Sequence, residues 1–206
     1  MTTTSEQEDR DLFASLPEID ARELSQLHDR LAAGAEEQGI LDVAYHTVDT
    51  PVGTLLLAAT EKGLVRVAYD SEDHDRVLET IAARISPRIL HAPRRLDNAA
   101  REIDEYFAGL RHGFDLPLDF SLSHGFRRIV LTHLGDIAYG HTASYATIAA
   151  AVGSPRAVRA VGTACATNPL PLVVPCHRVV RSDGTFGQYA GGPDAKKTLL
   201  TMEAAA

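Results

Sequence analysis

Between Leu41 and Tyr69 the apolar residues change from helical spacing to alternation, and that change constrains the fold more than any other feature of the chain. Val43, Tyr45 and Thr47 alternate with Ala44, His46 and Val48. Pro51-Val52-Gly53 turns the chain, residues 54–60 form a second apolar run, Glu61-Lys62-Gly63 is a tight turn, and residues 64–69 read as a third strand. Successive strand residues face opposite sides of a sheet, and connections this short join antiparallel neighbours. The segment predicts an antiparallel meander.

Helical spacing dominates on both sides of it. Residues 7–38 read as one or two polar helices with a partial stripe at Leu12, Leu16, Ile19, Leu24, Leu27 and Leu31, interrupted at Pro17. Gly34 and Gly39 close this region, read as an appendage packed on the body. Helices are expected over 73–84 and 94–110, the second carrying Ile103, Tyr106, Phe107 and Leu110 at helical spacing, with a strand over 114–120. The second half predicts a helix over 125–134, a connector over 135–142, and two short helices over 145–152 and 155–166 joined by Gly153-Ser154. Ser154 suits the cap of the second short helix and Pro155 its first position, where a missing N–H is no loss. A last helix is expected over 193–202. The fold class is α+β: an antiparallel sheet with helices, then a helical part with the outline of a helix-turn-helix. Three segments are expected, a helical extension over 1–40, an α/β domain over 41–120 and a C-terminal domain over 121–206.

The 206 residues suffice to bury a core. No apolar run approaches the roughly 20 residues needed to span a bilayer. The polar, acidic start (Glu6, Glu8, Asp9) is unlike a secretory signal, so a soluble cytoplasmic protein is expected. Two cysteines make no disulfide framework, and both are expected as thiols. The net charge of −8 is uneven: residues 1–120 carry 12 Lys+Arg against 24 Asp+Glu, and residues 121–206 carry 8 against 4. A basic C-terminal segment permits binding to a polyanion, but a surplus of four charges does not demonstrate it.

At about 100° per residue, Arg156, Arg159 and Thr163 share one face of the second short helix, with Val158, Val161 and Cys165 opposite and Ala157, Ala160 and Ala164 between. Arginines on so thin a surface suit close approach to a DNA groove. A solvated face with ordinary surface arginines accounts for this helix slightly better when it is taken alone.

Pro175-Cys176-His177-Arg178-Val179-Val180 places a thiol beside an imidazole. An ordinary thiol is mostly protonated at neutral pH, and a nearby His accepts its proton best when a carboxylate or carbonyl fixes the other ring nitrogen. Strand neighbours face opposite sides, so the pair can cooperate only if the chain turns there or water links them. Spacing leaves the orienting carboxylate open among Asp136, Asp183, Asp194 and Glu203, each equally a surface charge. Cys176 equally suits the role of a small buried apolar group. Metal binding is not expected, since C-x-x-C and H-x-x-x-H are absent and the nine histidines are scattered. Nor is there a G-x-S-x-G elbow, a Walker loop or G-x-G-x-x-G. Gly191-Gly192 suits a hinge or lid.

Residues 121–206 closely resemble the C-terminal domain of the O6-alkylguanine-DNA alkyltransferases, the methylated-DNA–protein-cysteine methyltransferases. The likeness rests on 143–149, on 153–162, on 168–180 with its Pro-Cys-His-Arg-Val core, and on 187–192 with Lys196 and Glu203. Residues 41–120 match more loosely, through 49–59, Gly63, Leu64, Tyr106 and Phe107; residues 1–40 match nothing general to the family. The resemblance implies a ribonuclease H-like N-terminal domain and a C-terminal domain with a helix-turn-helix and an active-site turn. It implies a single-turnover repair protein without cofactor, a monomer acting on O6-alkylguanine, chiefly O6-methylguanine, in double-stranded DNA through the minor groove. Its location would be cytoplasmic and nucleoid-associated in a bacterial-type cell, with no membrane partner.

By the same resemblance Cys176 falls on the alkyl acceptor, His177 on the water-mediated base, Glu203 on its orienting carboxylate and Asn168 on the hinge. Tyr145 falls on the residue that presses on the target's phosphate and helps turn the nucleotide out. Arg159 falls on the finger that fills the vacated space, with Ser154, Arg156, Ala157, Ala160 and Thr163 also on the DNA side. Pro175, Val179, Tyr189, Ala190, Gly191 and Cys165 are placed around the pocket, with no catalytic role for Cys165. Ala190 stands where some members have a serine, and Pro193 where an apolar residue is usual. Three rival readings weigh less. A binding-only paralogue would lack the cysteine, a fused alkylation sensor would add a metal-binding cysteine set, and a cysteine hydrolase does not usually place Cys next to His.

Overall fold

The computed structural model describes residues 20–204. The expected stripe residues Leu12, Leu16 and Ile19 lie outside that range. Helix α1 (Ala21–Glu37) begins at Asp20, whose carboxylate accepts the Glu23 N–H at 2.7 Å. It meets the body near its C-terminal end, where Ala35 is buried and Ala32 partly so. Leu24, Leu27 and Leu31 are about half exposed, so the leucine stripe faces outward and two alanines make the contact.

Strands β1 (Val43–Thr50), β2 (Gly53–Thr60) and β3 (Gly63–Tyr69) form the expected meander, with Ala44 opposite Ala59 and Leu55 opposite Tyr69. Gly63 takes φ +131, and a Cβ there would lie 2.1 Å from the Pro117 carbonyl oxygen, so only glycine permits this approach. The chain then crosses in helix α2 (His74–Arg84), capped by Asp73. It returns as β4 (Ile89–His91), which pairs with β1 in parallel, giving the order β3-β2-β1-β4. The sheet is thus mixed. A strand reached by a helical crossover to the far edge runs parallel to its neighbour, as a hairpin strand cannot.

The expected helix over 94–110 is a 3₁₀ turn (Pro93–Leu96) followed by α3 (Asp97–Phe107). The expected strand over 114–120 is a single bridge, Leu64 to Leu118, held by Leu64 N–H to Pro117 O and Asp119 N–H to Leu64 O at 2.8 Å each. Pro117 has no N–H to extend a ladder.

The second half contains α4 (Gly125–Leu134), a two-stranded parallel pair β5 (Ala143–Ser144) and β6 (Val179–Val180), α5 (Tyr145–Ala151), α6 (Val158–Ala166) and α7 (Gly192–Ala204). Ser144 caps α5, accepting the Thr147 N–H at 3.0 Å. Ser154 does not cap α6. Its carbonyl accepts the Ala157 N–H at 2.8 Å in a turn that includes Pro155, and the helix begins only at Val158. That late start leaves Val158 in the first, outer turn, 37% exposed rather than in the core. Ala164 is buried with Val161 and Cys165, and so does not belong to the thin outer surface. One apolar cluster runs from the sheet (Leu55, Leu57, Val67, Tyr69) through α3 (Ile103, Tyr106) to α4, α6 and α7 (Leu131, Val161, Leu199), joining the two halves. Among the described residues no helix is long and apolar enough to cross a membrane.

Candidate active site

The chain leaves α6 at Thr167 and reaches Asn168, which is 2% exposed. A buried amide must find partners for both ends. Asn168 Oδ1 accepts the Leu170 N–H at 3.0 Å, while Nδ2 donates to the Val174 carbonyl at 3.0 Å and lies 3.1 Å from Cys176 Sγ. The intervening loop wraps around this side chain with Leu172 at φ +73. That conformation costs about 1–3 kcal/mol for a non-glycine residue, which the surrounding contacts of a fully buried leucine offset.

Pro175 opens a 3₁₀ turn, Cys176–Arg178, closed by Arg178 N–H to Pro175 O at 3.0 Å. Because the backbone turns here instead of extending, thiol and imidazole need not face opposite sides. Both are buried, Cys176 at 2% and His177 at 0% exposure.

His177 Nε2 lies 2.8 Å from Glu203 Oε1 on α7. The same carboxylate accepts the Tyr106 hydroxyl at 2.5 Å, Arg178 Nε and Nη2 at 2.9 Å each, and the Gly140 N–H at 3.3 Å. Arg178 Nη1 donates to the Ile137 carbonyl at 2.7 Å. Burial by itself would raise the Glu203 pKa, but the bonds from His177, Arg178 and Tyr106 outweigh it and hold the group at about 2. An ionised carboxylate only accepts, so Nε2 carries the imidazole proton and Nδ1 presents its lone pair. Nδ1 is buried and takes no hydrogen bond from the protein. Burial pushes the His177 pKa down, with Glu203 opposing, so the ring is neutral at pH 7. Burial likewise pushes the Cys176 thiol up to about 11, with the Asn168 bond opposing. The resting pair is therefore thiol and imidazole, not thiolate and imidazolium.

Around the thiol, Lys196 is fully buried and donates from Nζ to the Val179 carbonyl at 2.6 Å; burial lowers its pKa. Tyr145 opens α5 and is partly buried; a Cβ on Gly187 would fall 2.0 Å from its hydroxyl. Tyr189 is 8% exposed, its ring edge-on to His177 at 6.1 Å between centroids. Its hydroxyl meets that of Tyr69, from the end of β3, at 2.8 Å. The Tyr69 ring lies where a Cβ on Gly191 would come within 2.6 Å. Ala190 and Gly191 are partly exposed, and Gly187, Tyr189, Ala190 and Gly192 line a surface concavity with Arg181 and Phe186.

Arg156, Arg159, Ala160 and Thr163 are exposed, while Ser154 and Ala157 are partly so. Neither Arg156 nor Arg159 has a carboxylate within salt-bridge distance among the described residues. The other acids weighed for His177 lie elsewhere: Asp136 pairs with His133, Asp183 caps a turn at Thr185, and Asp194 sits exposed in the first turn of α7. Sequence reading missed Tyr69, Tyr106 and the role of Arg178. Tyr106 reads there as part of an apolar stripe and of the looser N-terminal likeness, with no site role, and Tyr69 only as a strand end. Arg178 stands inside the motif, but nothing in the sequence marks it as the buried arginine it is.

Fold and site together describe a protein in which the buried Cys176 is tied by Asn168 to the end of α6, its neighbour His177 is backed by the Glu203 carboxylate, and Arg156 and Arg159 stand exposed before and on α6. Residues 43–120 match the family model "6-O-methylguanine DNA methyltransferase, ribonuclease-like domain", and residues 125–205 match "6-O-methylguanine DNA methyltransferase, DNA binding domain". The constitutive methylated-DNA–protein-cysteine methyltransferase of Bacillus subtilis is 41% identical over 160 residues, covering 77% of this chain and 94% of the relative. That of Mycolicibacterium paratuberculosis is 38% identical over 161 residues, covering 78% and 92%. A crystal structure of Mycobacterium tuberculosis O6-methylguanine methyltransferase superposes with a TM-score of 0.69 at 34% identity, covering 79% of this chain and 93% of that one. The chain belongs to the methylated-DNA–protein-cysteine methyltransferase family.

Proposed function

We propose that this chain is a direct-reversal DNA repair protein that moves the alkyl group of O6-alkylguanine, chiefly O6-methylguanine, onto Cys176, irreversibly and once per molecule. The observation that carries the reading is that Asn168, next after the C-cap of the helix bearing the exposed Arg159, holds the buried Cys176 thiol, while the neighbouring His177 is held by the Glu203 carboxylate. Relatives bear the methyltransferase name, and a structure of the M. tuberculosis protein in complex with DNA has the same fold at a TM-score of 0.69 and 34% identity.

In this reading the chain divides its labour along the sequence. Residues 41–120 form a buttressing domain and 121–206 the domain that binds DNA and accepts the alkyl group, with 1–40 an extension. A buried thiol cannot reach a base inside a duplex, so the base must turn out, at a cost of a few kcal/mol. Arg159 fills the space left in the stack, approached from the minor groove, and Tyr145 presses on the target's phosphate. Ser154, Arg156, Ala157, Ala160 and Thr163 meet the backbone around it. Tyr189, Ala190, Gly191, Pro175 and Val179 enclose the flipped base, with Cys165 behind them.

In the chemical step Cys176 Sγ bonds to the alkyl carbon as the carbon–O6 bond breaks. A thiol with a pKa near 11 must lose its proton as it attacks. His177 Nδ1 takes that proton through a bridging water, and Glu203 stabilises the imidazolium through Nε2–H. The Tyr145 hydroxyl protonates the leaving guanine and regains a proton from the imidazolium. The products are a neutral guanine and a thioether that no group in the site can cleave. No cofactor enters. The protein acts as a monomer, in the cytoplasm and on the nucleoid when bound.

Incubation with duplex containing O6-methylguanine, followed by intact mass and peptide mapping, tests the reading. The expected result is one methyl group on Cys176, stoichiometric and without turnover. Absence of the adduct, or repeated turnover, refutes it.

A further inference from the structure

A second basic surface lies beside the DNA face of α6, and it is built largely by the acidic half of the chain. Arg76, Thr80 and Arg84 of α2 line a cleft of about 580 Å³, with Arg127 of α4, Arg66 of β3, and Ala166 and Thr167 at the end of α6. At about 100° per residue, Arg76, Thr80 and Arg84 form one stripe on α2, while the acids Asp75 and Glu79 fall outside it and Asp73, the cap one turn before Arg76, is occupied with the Arg76 N–H. Glu72 is the one acid in the lining, and Arg66 neutralises it in a salt bridge. Arg76, Arg84 and Arg127 are exposed, and none has a carboxylate within 4 Å among the described residues. Three uncompensated cations thus converge in a chain of net charge −8. They do so although the half that supplies two of them is strongly acidic.

The cleft is continuous with the face proposed to enter DNA. Arg159, Thr163, Ala166 and Thr167 lie along one side of α6 and its C-cap, and the last two also line the cleft. From Arg159 to Thr167 is about 12 Å at 1.5 Å per residue. Arginine's planar fork of donors matches a phosphate oxygen pair.

We infer that the Arg76–Arg84–Arg127 cleft binds the sugar–phosphate backbone flanking the flipped nucleotide, extending the DNA site from α6 across to α2. The inference rests on the repair reading above and adds a DNA contact from the N-terminal half. The sheet's neighbouring helix thereby does more than buttress: it anchors one strand while Arg159 acts on the stack.

The test measures binding of the full-length chain to an undamaged 20-base-pair duplex from about 50 to 200 mM salt, alongside reaction with free O6-benzylguanine. Each of Arg76→Gln, Arg84→Gln and Arg127→Gln should flatten the slope of log affinity against log salt by about 0.9. The triple variant should bind at least about eightfold more weakly at 100 mM salt, each exposed charge contributing about a two- to fivefold effect. Its reaction with the free base should stay within about twofold of the unsubstituted chain. Arg101→Gln, a surface arginine paired with Glu105, should leave the slope unchanged. An unaltered slope in the triple variant overturns the inference, as does an equal loss in Arg101→Gln, which would make net charge the cause. If the triple variant loses the free-base reaction, the three single variants decide, and an unaltered slope in all of them overturns it. Failure of the unsubstituted chain to react with free base or to bind duplex defeats the repair reading itself, and the cleft inference falls with it.

Discussion

Glu203→Gln removes one charge from the most heavily bonded carboxylate in the site, and the structure sets the size of the effect. Glu203 is 2% exposed and accepts from His177, Arg178, Tyr106 and Gly140. In the folded protein it titrates at about 2 against an ordinary 4.5. A depressed pKa means stability that is fully present above about pH 4.5 and is lost as pH falls towards 2. That difference corresponds to roughly 3 kcal/mol. The amide leaves Arg178 buried beside a neutral group with only the Ile137 carbonyl as a full partner. Removing one partner of a buried pair costs about 3–5 kcal/mol. In a protein of this size each kcal/mol shifts Tm by roughly 2–4 °C, so the variant should melt roughly 10 °C lower at pH 7. The gap between the two proteins should narrow by roughly 2 kcal/mol at pH 3, where the native chain has lost much of this contribution. Urea unfolding at pH 7, 5, 4 and 3 measures both quantities. A variant within 1 kcal/mol of the native protein at pH 7, or a gap that does not change with pH, refutes the argument that an ionised Glu203 holds the cluster. Alkyl transfer should also slow by about 100-fold, since a neutral amide cannot stabilise the imidazolium through Nε2–H.

Asn168→Ala strands the Leu170 N–H and the Val174 carbonyl and removes the donor to Sγ, so it should cost roughly 3 kcal/mol in a denaturant melt. It should also raise the Cys176 pKa, read as slower thiol alkylation at a given pH. Gly187→Ala forces a Cβ against the Tyr145 hydroxyl; stability should fall by about 1–3 kcal/mol, and transfer from duplex should slow at least tenfold. Arg159→Ala should weaken repair in duplex at least tenfold more than reaction with the free base, and equal losses would remove its role in the stack.

The meander was legible from Leu41 to Tyr69 because period-2 patterning and short turns are local properties. The helix over 125–134 was legible for the same reason, and the motif at Pro175 announced itself through family likeness. Ser154 misled, because a capping residue followed by proline also suits a turn, and the helix began four residues later. Pro117 was the signal against a strand near Leu118. The parallel edge β4 was not legible, since three residues carry too little pattern to declare a strand.

What the sequence determined by itself is the three-stranded meander, most of the helices and the presence of a thiol beside an imidazole. Which carboxylate serves that imidazole was a tertiary decision. Four acids were equivalent by spacing, and only the docking of α7 against the 3₁₀ turn brought Glu203 to 2.8 Å from His177. The same packing joined Tyr106 to Glu203 across 97 residues, and Tyr69 to Tyr189 across 120. The protonation states followed from it as well. Burial sets the thiol near 11 and the bonds it brings set the carboxylate near 2, because a pKa measures the free energy of a charge in its surroundings, and those surroundings exist only once the chain is folded.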